Sequence, residues 1–173
     1  MRSSIRTLKA GLLAGLLAGS WPLSAAEPSE QVLKAAFLYN FARYTEWPNL
    51  SNDFKICLLG ANSLGQALEP IARKEIAGRP IRVLTVKSDS ALSACNLLFI
   101  ADTEQQRAAE VARALAGQPV LTVSETGNVD PALIMLRMNF EQGILVFDAN
   151  PSIARAAGLT FSAKMLHLAR RIF

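Results

Sequence analysis

Apolar and polar positions follow two rhythms along this chain, and the switches between them predict its elements. From Gln31 to Tyr44 apolar residues recur at helical spacing, and Trp47-Pro48 ends the segment because proline disfavours helical backbone in the residue before it. Phe54-Lys55-Ile56-Cys57-Leu58-Leu59 is a near-continuous apolar run stopped by Gly60, the pattern of a strand buried on both faces. Asn62 or Ser63 is placed to cap a helix reaching about Lys74, closed by Gly78. Arg79 to Val86 alternates like a strand, and Leu97 to Ile100 is a short buried one. Asp102 or Thr103 opens a helix through Leu115 that ends near Gly117, and Pro119 to Val123 is a further strand. Ala132 to Phe140 and Ile144 to Phe147 are β-like runs parted by Glu141-Gln142-Gly143, which is hairpin spacing. Two short helical patterns finish the chain, one after Asn150-Pro151 and one from Ser162 to Ile172.

Strands alternating with helices imply a mostly parallel sheet covered on both faces, and the late hairpin implies antiparallel strands at one edge. The expected fold is therefore a three-layer α/β/α sandwich. No repeat, low-complexity tract or Pro/Gly-rich linker divides residues 27–173, so they are read as a single domain.

The first 26 residues follow a different pattern. Arg2, Arg6 and Lys9 precede an apolar run from Ala10 to Ala18, then Trp21-Pro22-Leu23 and the small residues Ser24-Ala25-Ala26. This is the pattern of a secretory signal peptide cleaved after Ala26, and the run is far short of the roughly 20 residues that span a bilayer as a helix. Export, to the periplasm in a Gram-negative source, is the expectation, with no membrane insertion after cleavage. Removing Arg2, Arg6 and Lys9 leaves 15 Lys and Arg against 14 Asp and Glu, a net charge of +1. The basic isoelectric point thus belongs largely to the leader, and no Lys/Arg run in the remainder points to nucleic acid.

Cys57 and Cys95 remain after cleavage, and in an oxidising compartment two cysteines default to a disulfide, two separate buried thiols being the alternative. First and third strands are commonly neighbours in such sheets, which would bring Cys57 and Cys95 together.

Candidate chemistry is sparse. Gly60-Ala61-Asn62-Ser63-Leu64-Gly65 follows a strand as a phosphate loop would, but Gln66 and Ala67 stand where Lys and Ser or Thr are required. His167 is the only histidine, which excludes a multi-histidine metal site, and it shares a face with Lys164 and Arg171 near a helix end, where cations are favoured. Asp102, Glu125 and Asp148 fall at predicted strand ends, where open α/β sheets bind ligands, yet no nucleophile–base pair accompanies them. No enzymatic activity, metal or cofactor is expected.

The helical spacing also raises a question about Asn40. At 100° per residue it falls among Leu33, Phe37 and Tyr44, so its amide is expected to be buried and bonded to backbone of an adjoining strand or loop. Leu38, about 140° from Leu33 with Ala42 beside it, becomes a candidate exposed partner contact. Trp47-Pro48 is expected to stop the helix, with the indole packed.

Lys34-Ala35-Ala36-Phe37-Leu38-Tyr39-Asn40-Phe41, followed by Glu46-Trp47-Pro48, resembles the opening of the YfiR-like family of periplasmic proteins. The resemblance continues through Ile56-Cys57-Leu58-Leu59-Gly60, Ile76-Ala77-Gly78-Arg79-Pro80-Ile81, Cys95-Asn96-Leu97-Leu98-Phe99-Ile100 and Val120 to Ser124, and closes with Gly158 to Leu166. It implies a non-enzymatic regulator that holds down an inner-membrane diguanylate cyclase from the periplasmic side, lowering cyclic-di-GMP and biofilm formation. It further implies an OmpA-like outer-membrane lipoprotein as a sequestering partner, and the alternative reading is a periplasmic small-ligand-binding accessory sensor for a membrane histidine kinase; a homodimer is a further candidate assembly. The chain departs from the family pattern at Asp130-Pro131-Ala132 and Phe147-Asp148-Ala149-Asn150, and it lacks the second cysteine pair of some members.

Overall fold

The computed structural model describes residues 28–50, 52–60, 64–87, 89–125 and 129–173; the expected leader, residues 1–26, and the candidate caps Asn62 and Ser63 lie outside them. In chain order the elements are α1 (Glu30–Arg43), β1 (Thr45–Glu46), β2 (Phe54–Leu59), α2 (Leu64–Ala67), β3 (Glu75–Ile76), β4 (Arg79–Val86) and β5 (Leu97–Ile100). There follow α3 (Gln105–Ala114), β6 (Leu121–Ser124), β7 (Leu136–Glu141), β8 (Ile144–Ala149), α4 (Pro151–Ala156), β9 (Thr160–Phe161), α5 (Ala163–Leu168) and β10 (Arg171–Ile172). Short 3-10 turns at Asp89–Ala94 and Asp102–Glu104 flank β5.

Eight strands form one sheet in the order β10-β8-β7-β6-β5-β2-β4-β3. Strands β4, β2, β5, β6 and β7 run parallel, and β8 returns antiparallel to β7. The expected sandwich is thus the fold found, and period-two alternation explains its layers. Ile56, Leu58, Leu97 and Phe99 point into one buried cluster with Leu38, Phe41 and Met165, while Cys57, Leu59, Leu98 and Ile100 point into a second with Val111 and Leu115 of the α3 side. Because β2 and β5 are buried on both faces, their sequences carry no polar alternation.

Four expected details are corrected. The helix read as reaching Lys74 lasts only from Leu64 to Ala67 before turns take over, because Pro70 offers no N–H and disfavours helix at Glu69. Gly78 closes a β3–β4 hairpin, not a helix: Ala77 and Gly78 both have positive φ (49° and 74°), the requirement of a two-residue primed turn. The final helix stops at Leu168, and Arg171-Ile172 pair in parallel with Asp148-Ala149. That pairing places β10 outside the late hairpin, which is therefore one strand in from the sheet edge.

Cys57 and Cys95 form a disulfide, with Cα atoms 5.9 Å apart. Cys57 sits opposite Leu98 in the β2–β5 ladder, and Cys95 enters β5 two residues before its first paired position, which is why the strand order brings them together. Both cysteines are buried in the α3-side cluster.

Candidate functional site

Helix α1 places the residues the sequence singled out, and it turns a different face to the sheet from the one expected. Its buried residues are Lys34, Ala35, Leu38, Phe41 and Ala42, a stripe centred on Leu38, which is fully buried. At 100° per residue Asn40 lies about 200° from that centre, and it is exposed. Both expectations are therefore corrected: Leu38 is core and unavailable to a partner, and the Asn40 amide lies outside the helix–sheet interface. The physical reason is that Ala35 and Ala42 let the helix sit close to the sheet, while the bulkier Leu33, Phe37 and Tyr44 pack on its flank, only partly buried. Replacing Asn40 with leucine should accordingly change stability by less than about 0.5 kcal/mol in a urea melt, as for other exposed sites without partners.

The motif after α1 is a clasp. Trp47 stacks edge-on to Phe54 with ring centroids 4.9 Å apart, and its indole N–H donates to the Ala42 carbonyl at 3.1 Å. Phe41 packs against Phe147 at 4.9 Å, and its carbonyl accepts the Thr45 hydroxyl at 2.7 Å. Thr45 and Glu46 pair with Phe161 and Thr160, and the Ser162 N–H donates to the Tyr44 carbonyl at 2.9 Å. Two segments more than a hundred residues apart are thus joined in the β1–β9 ribbon, where Pro48 remains exposed on its rim. The arrangement is structural and presents no reactive group.

The carboxyl ends of the parallel strands are where a ligand crevice belongs in such a sheet. Here Lys34 of α1, although buried, forms ion pairs with Glu125 and Glu30. Burial works to lower the Lys34 pKa, but the hydrogen bonds and charges of Glu125 and Glu30 outweigh it and leave it raised. Glu125 also accepts the Asp102 backbone N–H at 3.4 Å, so two of the three candidate carboxylate positions meet, through a main-chain contact. Asp102 does not cap a helix with its side chain; the turn there starts from Ala101.

Gly60, read as the start of a phosphate-like loop, serves packing. Its φ of +79° favours glycine, and a Cβ there would lie 2.5 Å from both Glu104 Cγ and Thr103 Oγ1. Beside it a crevice of about 380 Å³ is lined by Thr85, Lys87, Thr103, Glu104 and Arg107, with Glu104 and Arg107 already paired at 3.0 Å. A larger cleft of about 620 Å³ between α1 and α2 is lined by Val32, Ala35, Ala36, Ala67, Pro70 and Ile71 with uncharged polar neighbours. Neither supplies an acid–base pair or an activated nucleophile. Among the described residues no group of three or more His, Cys, Asp or Glu side chains could hold a metal ion.

Asp148 lies apart from Asp102 and Glu125, on strand β8, and is 1% exposed. Arg137 Nη2 and Arg170 Nη2 reach its Oδ2 at 2.7 and 2.8 Å, and Arg170 Nε reaches Oδ1 at 2.9 Å. Burial favours its neutral form, but bonds from Arg170 and then Arg137 prevail and lower its pKa. Nearby, the Asn150 side chain caps α4 by accepting the Ser152 and Ile153 N–H groups and donates to the Pro131 carbonyl at 3.0 Å. Residues 130–132 and 147–150 thus contact each other. His167 is exposed on α5.

The fold is an α/β sandwich whose buried charges are paired within the domain. The model of the YfiR/HmsC-like family matches residues 31–170, and the chain belongs to that family.

Proposed function

We propose that this chain is a periplasmic regulator that binds the periplasmic sensor domain of an inner-membrane diguanylate cyclase and holds it inactive, keeping cyclic-di-GMP and biofilm formation low. The observation that carries this reading is the family match across residues 31–170. In this reading the chain is exported by its leader, catalyses nothing itself, and acts by binding one receptor conformation more tightly than the other. Moving a receptor from 99:1 to 1:99 requires about 5.5 kcal/mol of differential affinity. An interface of that strength needs a cluster of desolvated apolar anchors, which the buried Leu38 cannot provide. An OmpA-like lipoprotein would relieve repression by competing for the regulator.

Deleting the gene should raise cyclic-di-GMP and biofilm mass, re-expression of the exported protein should reverse both, and a second deletion removing the cyclase should abolish the rise. Unchanged cyclic-di-GMP in the single deletion would overturn the reading. Altered output of a membrane sensor kinase with unchanged cyclic-di-GMP would assign the kinase as receptor instead.

A further inference from the structure

Seven large apolar side chains are exposed among the described residues, and five of them belong to the β7–β8 hairpin and the C-terminal segment: Phe140, Ile144, Leu168, Ile172 and Phe173. Leu168 and Ile144 are each 65% exposed and Ile172 55%. The hairpin meets β6 only through Val123 with Leu136 and Ser124 with Arg137, so Met138–Glu141 and Ile144–Phe147 project beyond the carboxyl end of β6. Phe140 and Ile144 flank the Gln142-Gly143 turn at the tip of that projection. Ile172 stands level with the core residue Ala149, whereas Phe173 lies against Arg137 on the other side. The apolar groups therefore lie at the hairpin tip and along the outer strand, on both faces of the sheet edge.

The charge along this edge is net basic. Residues 163–173 contain Lys164, His167, Arg170 and Arg171 and no acidic side chain. The two nearby carboxylates, Glu141 and Asp148, are both held by Arg170, while Lys164 and Arg171 are exposed. Strand β10 is only two residues long, too short to template a partner strand. Lys164 lies over the Tyr44 ring at 5.3 Å, and an exposed apolar edge whose net charge is basic matches an anionic surface.

We propose that this edge adsorbs the protein to an anionic phospholipid bilayer, with Phe140, Ile144, Leu168 and Ile172 in the boundary between headgroups and acyl chains and Lys164 and Arg171 against lipid phosphates. This is adsorption and not spanning: among the described residues no helix is long and apolar enough to cross a membrane. It does not depend on which receptor the protein regulates.

The test is co-sedimentation of the exported protein with vesicles of phosphatidylethanolamine and phosphatidylglycerol, compared with vesicles of phosphatidylcholine. Binding is expected to the first and not the second, and to weaken as salt is raised. Arg171→Ala should bind about fivefold more weakly, as expected for one cation at an anionic surface. A Leu168→Ser, Ile172→Ser double variant should lose at least roughly tenfold, since each side chain gives up apolar burial. Val32→Ser, exposed elsewhere, should bind as wild type, and thermal melts of all variants check their folding. Equal binding to both vesicle types, no binding to either, or a folded double variant that binds as wild type would overturn the proposal. If the double variant loses repression in cells while the wild type never sediments with vesicles, the edge belongs to a protein partner and the proposal fails. No cyclase is present in the vesicle assay, so its outcome is separate from that of the proposed function.

Discussion

Replacing Asp148 with asparagine is expected to lower stability by about 3 kcal/mol, the low end of the range for removing one partner of a buried ion pair. The carboxylate is 1% exposed and holds Arg137 and Arg170 together, and their side chains are 13% and 28% exposed. An amide of the same shape leaves two guanidinium groups facing each other with one acceptor and without the charge they share, while Glu141 still pairs with Arg170. Because both arginines retain some contact with water, the upper end of the range is not expected. For a domain of this size the melting temperature should fall by about 10 °C. The pH dependence follows from the direction of the shift. Asp148 titrates below the ordinary carboxylate value of 3.8, so its contribution is fully present above that value and is lost as pH falls through the lowered one. Urea melts should show a constant gap between wild type and Asp148→Asn from neutral pH to about pH 4, closing in stronger acid. A gap that closes between pH 7 and pH 5 would place the linkage on another group.

That same carboxylate shows what the sequence could not reveal. Asp148 reads as an acceptor at the end of a strand, and only the pairing of Arg137 with Asp148 across β7–β8, and of Arg171 with Asp148 across β8–β10, brings Arg170 to it. Tertiary pairing of the last residues overrides their helical pattern, because Arg170 gains a buried carboxylate and its N–H bonds the Phe147 carbonyl at 2.8 Å. Strands β2 and β5 were legible because continuous apolar runs of four to six residues between turn signals fit few other places than the centre of a parallel sheet. The order of those strands then sufficed to bring Cys57 and Cys95 together.

Helix α1 was legible as a helix and illegible as a surface. Leu33, Phe37, Leu38, Tyr39, Phe41 and Tyr44 surround it on nearly all sides, so periodicity does not select a face. Size weighting selects the flank holding the larger rings, whereas close helix–sheet packing selects Ala35, Leu38 and Ala42. The signal that was available is the pair of alanines seven residues apart with Leu38 between them. Lys34 was the least legible residue: a lysine on the inner stripe makes sense only once Glu125 arrives from the end of β6 to accept its charge. The clasp between Thr45-Glu46 and Thr160-Phe161 explains why the two terminal signatures occur together, since each is half of one ribbon.

The disulfide carries the other large expected effect. It joins residues separated by 38 positions, and the chain-entropy model assigns about 4 kcal/mol to closing a loop of that length in the unfolded chain. A Cys57→Ala, Cys95→Ala protein should therefore melt on the order of 10 °C below the wild type. The enclosed loop contains α2, β3 and β4, so most of what the bond restrains is the crossover that places β4 beside β2. Kinetics separate this from a general loss of packing. Cys57 is 0% exposed and Cys95 4%, so a reductant reaches the sulfurs only through opening of the α3-side core. Native protein should react with dithiothreitol slowly, at a rate that rises with urea, and once reduced should melt at the temperature of the alanine variant. Rapid reduction in the absence of denaturant would mean that the sheet opens locally around β2 and β5, and a reduced protein melting with the oxidised one would assign the stability of this crossover to packing alone.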